Sequence, residues 1–180
     1  RMRFFILFAL FLASESQMTA QTAPRFTKTP IGNSGCSIYL PGKPDPLDIS
    51  KSPDSSVVYT IEKMDSASGK YFRFGTILVD LKDMELAGIE EDMLVSYMDY
   101  LKTAFDVVEA AGYGKGHSLS THPSAKGVLD YWKDSSGDEW VVKGWAAEST
   151  LFVMFVYGPE AYPNYTIVDT FFKGARFKGD

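Results

Sequence analysis

Residues 127–157 read GVLDYWKDSSGDEWVVKGWAAESTLFVMFVY, and this stretch decides the fold. Two runs rich in β-branched and aromatic residues, 127–133 and 139–146, flank the polar turn DSSG at 134–137. A third run, 151–157, is apolar throughout, which is typical of a strand covered on both faces of a sheet. Three such runs in quick succession predict an antiparallel meander in which 151–157 is a central strand.

Two earlier segments predict an antiparallel hairpin. Residues 56–63 (SVVYTIEK) alternate between apolar and polar side chains, and residues 71–81 (YFRFGTILVDL) are β-branched and aromatic. The polar, glycine-containing stretch at 65–69 supplies the turn between them. A shorter apolar run at 35–40 (GCSIYL) ends at a Pro-Gly pair and predicts a first strand.

Two helices are predicted, one before and one after the meander. Residues 89–111 carry apolar side chains at intervals of three and four, and Gly112 follows them as a helix stop. Residues 165–173 predict a closing helix with Asn164 as its N-cap. The segment 112–126, between the long helix and the meander, is predicted to be a polar loop. The apolar stripe of the long helix consists of Leu94, Tyr97, Met98, Leu101, Ala104, Phe105 and Val108.

Segregated runs of strands and helices are typical of α+β proteins. We therefore predict an antiparallel β-sheet packed with one long and one C-terminal helix, in a single α+β domain over residues 35–180. Residues 21–34 are polar and contain threonine and proline. They are predicted to form a flexible lead-in to that domain.

The first 20 residues predict a targeting signal. Arg1 and Arg3 precede the ten-residue apolar run FFILFALFLA at 4–13, and a polar stretch follows. This order is typical of a secretory signal peptide, and ten apolar residues are too few to cross a bilayer core about 30 Å thick. We therefore expect an exported protein, periplasmic or extracellular, with no stable membrane insertion once residues 1–20 are removed.

The composition excludes several classes of function. The chain has 180 residues, with 18 basic against 23 acidic side chains and a net charge of −5. A nucleic-acid binder is not expected, because neutralising phosphates requires a lysine- and arginine-rich surface. One cysteine excludes an internal disulfide, and one cysteine with two histidines excludes a Cys₄ or Cys₂His₂ zinc site. No cofactor and no metal are predicted.

The order of these elements resembles that of the Mog1/PsbP-like α/β sandwich proteins, which include small bacterial envelope members. The resemblance spans roughly residues 35–178 and includes the early strand ending in LPG at 40–42, the long amphipathic helix and the Gly144-Trp145 step of the meander. It implies an α/β sandwich that binds a protein partner or helps assembly without catalysing a reaction. No functional residue is carried over from it.

Aromatic side chains of the meander, next to the predicted loop at 113–124, form one candidate site. Tryptophan and tyrosine are favoured at the cores of protein interfaces, so this set predicts a binding surface for another envelope or secreted protein. Neighbouring residues of a strand face opposite sides, so Tyr131 and Trp132 are both buried only if both faces of the sheet are covered. The candidate surface consists of His117, His122, Tyr131, Trp132, Trp140 and Trp145.

The alternative is a hydrolase or transferase that uses Cys36 with His117 or His122. Such an enzyme needs the thiol and an imidazole within hydrogen-bond reach. The residues around Cys36 carry no signature of a catalytic cysteine. The two histidines lie five residues apart in a predicted loop, which is not the helical spacing of a zinc-binding HExxH motif. A structural cysteine with solvated histidines is the simpler interpretation.

Overall fold

The computed structural model describes residues 23–180. The predicted signal peptide, residues 1–20, lies outside the described residues. A mostly antiparallel sheet with one helix on each face forms the α+β sandwich that the sequence predicts. No helix within residues 23–180 is both long enough and apolar enough to span a membrane.

The described part of the chain contains ten strands and two helices. The strands are β1 Thr27–Pro30, β2 Ser37–Leu40, β3 Asp48–Lys51, β4 Val57–Ala67, β5 Lys70–Asp80, β6 Val107–Ala110, β7 Gly114–Leu119, β8 His122–Asp134, β9 Glu139–Ala147 and β10 Thr150–Gly158. The helices are α1 Glu90–Ala104 and α2 Tyr165–Phe172. β1 and β2 pair with each other, whereas the other strands form one sheet in the order β3-β4-β5-β10-β9-β8-β6, with β7 also pairing to β8.

β10 is the central strand, as its apolar sequence predicts. It pairs with β5 on one side and with β9 on the other. Val153 and Phe155 belong to a core shared with α1, whereas Phe152 and Met154 belong to a second core shared with α2 and the β1–β2 pair. Because alternate side chains enter different cores, every position of the strand interior has to be apolar.

The long helix ends earlier than its periodicity predicts. α1 stops at Ala104, and the chain then turns at Asp106, whose φ of 52° is left-handed, into β6. The prediction of helix over 89–111 is therefore wrong beyond residue 104. Val107 and Val108 are β-branched residues that favour strands, and here the backbone of this segment pairs with β8 instead of continuing the helix. Val108, predicted to lie on the buried stripe, is 62% exposed.

Two segments predicted to be irregular are strands. Residues 112–126, predicted as a loop, contain β7 and the start of β8, which pair antiparallel. The indole of Trp145 packs closely over this hairpin, since a Cβ atom at Gly127 would lie 2.4 Å from its ring. The lead-in predicted for 21–34 contains β1, and Ile31 is fully buried. In both segments the strand is stabilised by pairing with another strand.

The closing helix is confirmed. The Asn164 side chain accepts hydrogen bonds from the backbone N–H groups of Thr166 and Ile167, so it caps α2 as predicted. The apolar side chains of α2 face the sheet and are buried. The indole N–H of Trp145 donates to the carbonyl oxygen of Phe172 at 2.9 Å, which ties the last turn of α2 to β9.

A buried carboxylate connects α1, β8 and the turn that follows β6. Asp130 is fully buried. Its oxygens accept hydrogen bonds from the backbone N–H groups of Gly112 at 2.9 Å and Tyr131 at 2.8 Å, and from the indole N–H of Trp132 at 2.7 Å. The ammonium of Lys102, on α1, lies 3.2 Å away. These partners compensate for the loss of hydration of the charge.

We expect Lys102→Met to lower the free energy of unfolding by about 3 kcal/mol, because it leaves the Asp130 carboxylate buried without a cation. Urea titration measures the effect. Lys115→Met is the matched control, since the Lys115 ammonium pairs with the exposed Asp92 and is itself half exposed. Its expected cost is below about 0.5 kcal/mol. Equal losses in the two variants would show that the buried carboxylate does not depend on Lys102.

Candidate functional site

A cavity of about 410 Å³ lies between the N-terminal end of α2 and the face of the sheet formed by β6, β8, β9 and β10. This volume is in the range of pockets that bind small ligands or side chains. We call it the tyrosine groove. The residues that define it are Tyr131, Val141 and Val156 from the sheet and Tyr162, Tyr165 and Val168 from α2 and the segment before it.

The register of the sheet places one wall of the groove. Tyr131 on β8 lies opposite Val141 on β9, which lies opposite Val156 on β10. Directly opposed residues of an antiparallel sheet project on the same side, so these three side chains form one surface. Tyr131 is 47% exposed, whereas the two valines are more covered.

The wall opposite the sheet is formed by two further tyrosines. Tyr165, the first residue of α2, is 54% exposed. Tyr131 and Tyr165 both line the groove, and burial together with the neighbouring Tyr131 phenol raises the pKa of Tyr165. Tyr162 is buried, and its ring packs edge-to-face on Phe72 and Phe74, with centroids 5.0 and 5.2 Å apart. Its hydroxyl has no hydrogen-bond partner among the described residues.

Charged side chains border the groove at the edge of the sheet. Lys133 on β8 lies opposite Glu109 on β6 and opposite Glu139 on β9. Two carboxylates and one ammonium give this border a net charge of −1. None of the three forms an ion pair within residues 23–180.

The three tryptophans of the predicted surface lie in the cores. Trp132, Trp140 and Trp145 are 3%, 7% and 2% exposed. The indoles of Trp132 and Trp140 donate hydrogen bonds to acidic side chains of the same hairpin, on the face toward α1. The prediction of an aromatic surface is therefore corrected for these three residues, because both faces of the sheet are covered. Trp132 and Trp140 still line part of the groove although they are buried, and Tyr131 is the predicted aromatic residue that is exposed there.

His117 lies outside the groove, on β7. Burial lowers its pKa, and the ammonium of Lys143 lowers it further. Lys143 is itself 7% exposed and lies 4.9 Å from the centroid of the Trp145 ring. Burial lowers the pKa of Lys143 to about 8. His117 is therefore neutral at neutral pH, next to an ammonium that has lost much of its hydration.

His122 lies in a separate cluster at the end of the chain described by the structure. Its Nδ1 lies 2.9 Å from the Asp180 carboxylate and its Nε2 lies 3.0 Å from that of Glu148. The ring stacks on Phe177 with centroids 4.4 Å apart. Burial lowers the pKa of His122, but the hydrogen bonds to the two carboxylates outweigh that effect and raise the pKa above its ordinary value. The cluster holds the residues that follow α2 against β8.

The structure does not join Cys36 to either histidine. Cys36 is 4% exposed, and burial raises the pKa of its thiol to about 11. No hydrogen bond connects Cys36 with His117 or His122 within residues 23–180, and the contacts of both rings are with other groups. In the same range, no group of three or more histidine, cysteine, aspartate and glutamate side chains is arranged to hold a metal ion. A thiol without a base is a weak nucleophile at neutral pH.

Most residues that line the groove are not among those that the sequence singles out. The helix predicted over 89–111 includes Glu109, which instead lies on β6, and the pair Val107-Val108 is the signal in the sequence for a strand there. Tyr165 lies in the closing helix as predicted, but nothing in the sequence shows that the start of this helix lies near Tyr131. Tyr162 stands in the segment before α2, which carries no local pattern.

No family model matches the chain, and no curated protein matches it closely enough to be counted as similar. The resemblance to the Mog1/PsbP-like proteins therefore stays a prediction.

We expect the His122 cluster to stabilise the fold at low pH and to lose that effect as pH rises. The pKa of His122 is raised in the folded state. The stabilisation is therefore fully present below the unfolded-state pKa and disappears as pH rises through the folded-state pKa. The free energy of unfolding of the wild type should exceed that of His122→Gln by more at pH 6 than at pH 9. A difference that is the same at both pH values would contradict this role.

Proposed function

We propose that the protein is an exported, non-catalytic binding protein of the cell envelope that takes a segment of a partner protein in the tyrosine groove. The observation that carries this proposal is the pair Tyr131 and Tyr165, both about half exposed, at the mouth of a groove with an apolar floor. Tyrosine is enriched where proteins bind one another, because a rigid amphipathic ring supplies contact area at a small entropic cost. Export is proposed from the signal-like sequence of residues 1–20.

The position of the groove favours a polypeptide as the bound molecule. β6 is the outermost strand on this side of the sheet, and residues 109–111 also line the groove. The outer edge of a terminal strand presents backbone N–H and C=O groups that can pair with another chain. An extended segment can therefore pair with β6 and insert one side chain between the tyrosines, which is recognition by strand addition.

The short length of β6 limits the strength of this pairing. The strand has four residues and an irregular register with β8. Backbone pairing alone would accordingly give weak binding with little selectivity, and the side chain that enters the groove would supply most of the specificity. The Mog1/PsbP-like resemblance implies the same kind of role, a domain that binds a protein partner without catalysis.

Selection from a library of random linear peptides tests the proposal. We expect the selected peptides to lose at least about 10-fold in affinity when tested against Tyr131→Ala or Tyr165→Ala, as for aromatic residues at the centre of an interface. Tyr100→Ala is the matched control, because Tyr100 is a 63% exposed tyrosine on α1 that does not line the groove. Thermal unfolding confirms that each variant is folded.

Two results would overturn the groove as the binding site. One is a library that yields no binder. The other is a set of peptides that bind the Tyr131 and Tyr165 variants as tightly as they bind the wild type.

A second measurement tests the non-catalytic part of the proposal. The alternative hydrolase or transferase needs Cys36 as a thiolate, but burial raises its pKa to about 11. We therefore expect iodoacetamide at pH 8 to alkylate the native protein about 10²-fold more slowly than the urea-unfolded chain. The single cysteine makes the assignment direct. Equally fast reaction of the native and unfolded chains would support an activated thiol and contradict the proposal.

A further inference from the structure

We infer that the side chain held in the tyrosine groove is a cation, a lysine or arginine of the partner segment. This inference rests on the proposed function and specifies the chemistry that the groove recognises. It depends on two features of the groove, the charges along its border and the aromatic rings that line it.

The charges along the border favour a positive ligand. Glu109 and Glu139 lie opposite Lys133 on its two neighbouring strands, but neither carboxylate lies within 4 Å of its ammonium. Both carboxylates therefore keep their capacity to accept hydrogen bonds from a ligand. An incoming ammonium or guanidinium would meet an excess of one negative charge, and an incoming carboxylate would be repelled.

The aromatic lining favours the same class of ligand. Tyr131, Tyr162 and Tyr165 line the groove together. The face of an aromatic ring carries the negative part of its quadrupole and attracts lysine and arginine side chains. The aliphatic stem of such a side chain also matches the apolar floor of valines, so one ligand would satisfy both parts of the groove.

The start of α2 does not make the groove a site for anions. A helix N-terminus attracts negative charge through its free backbone N–H groups. Here the Asn164 side chain already accepts hydrogen bonds from the N–H groups of Thr166 and Ile167. The local preference is therefore set by Glu109 and Glu139.

Four blocked hexapeptides test the inference. They share one β-forming sequence and differ at one central position, which is lysine, arginine, norleucine or glutamate. Titration followed by NMR gives their dissociation constants. We expect the lysine and arginine peptides to bind about 5-fold more tightly than the norleucine peptide, and the glutamate peptide to bind most weakly.

The outcomes separate this inference from the proposed function. If the norleucine peptide binds as tightly as the lysine peptide and both depend on Tyr131, the groove remains the binding site but does not select a cation. If no peptide depends on Tyr131, the proposed function itself fails.

Charge variants give an independent test. Lys133→Glu should tighten binding of the lysine peptide about 3-fold relative to binding of the norleucine peptide, whereas Glu109→Gln combined with Glu139→Gln should weaken binding of the lysine peptide by a similar factor relative to the same reference. Lys126→Glu is the matched control, because Lys126 is exposed on the same strand but does not line the groove. An equal effect of Lys126→Glu and Lys133→Glu would overturn local recognition of the cation.

Discussion

The buried charge of Asp130 is the constraint on which the groove depends. A carboxylate removed from water is stable only when its lone pairs find donors, and here those donors come from separate parts of the chain. Lys102 comes from α1, Gly112 from the turn after β6, and Trp132 from the same strand. The ion pair with Lys102 holds α1 against one face of β8, and the hydrogen bond from Gly112 holds the turn after β6 beside the same strand. Residues 109–111 line the groove, so one of its walls is positioned by a charge buried in the sheet.

The coverage of the sheet explains which aromatic residues are left for binding. α1 covers one face, and the tryptophans that point toward it become core residues. α2 is only eight residues long and packs mainly on β10 and β2, so it leaves the β8 side of the other face partly open. Tyr131 lies in that opening, and Tyr165 borders it because it begins the helix. The groove therefore exists because α2 is too short to cover the full width of this face of the sheet.

The elements that could be predicted are those with a strong local pattern. The apolar run of β10, the alternation in β4 and the cap at Asn164 each specify their own structure through nearby residues. Three short strands, β1, β6 and β7, are each stabilised by pairing with a neighbouring strand. Such pairing leaves no pattern in the local sequence from which the strand could be predicted. The same limit applies to the site. Tyr131 could be found from the meander, but its proximity to Tyr165 depends on how α2 crosses the sheet.

The acidic start of α1 offers a useful contrast with the groove. Glu90, Glu91 and Asp92 form a denser group of carboxylates than Glu109 and Glu139 do. However, Glu90 accepts a hydrogen bond from a backbone N–H group of the preceding turn, Glu91 accepts one from a backbone N–H group of β7, and Asp92 pairs with a lysine of β7. Those charges already stabilise the fold and lie on no aromatic surface. Recognition of a cation needs carboxylates that are still free beside rings that are still exposed, and the two conditions meet in the tyrosine groove.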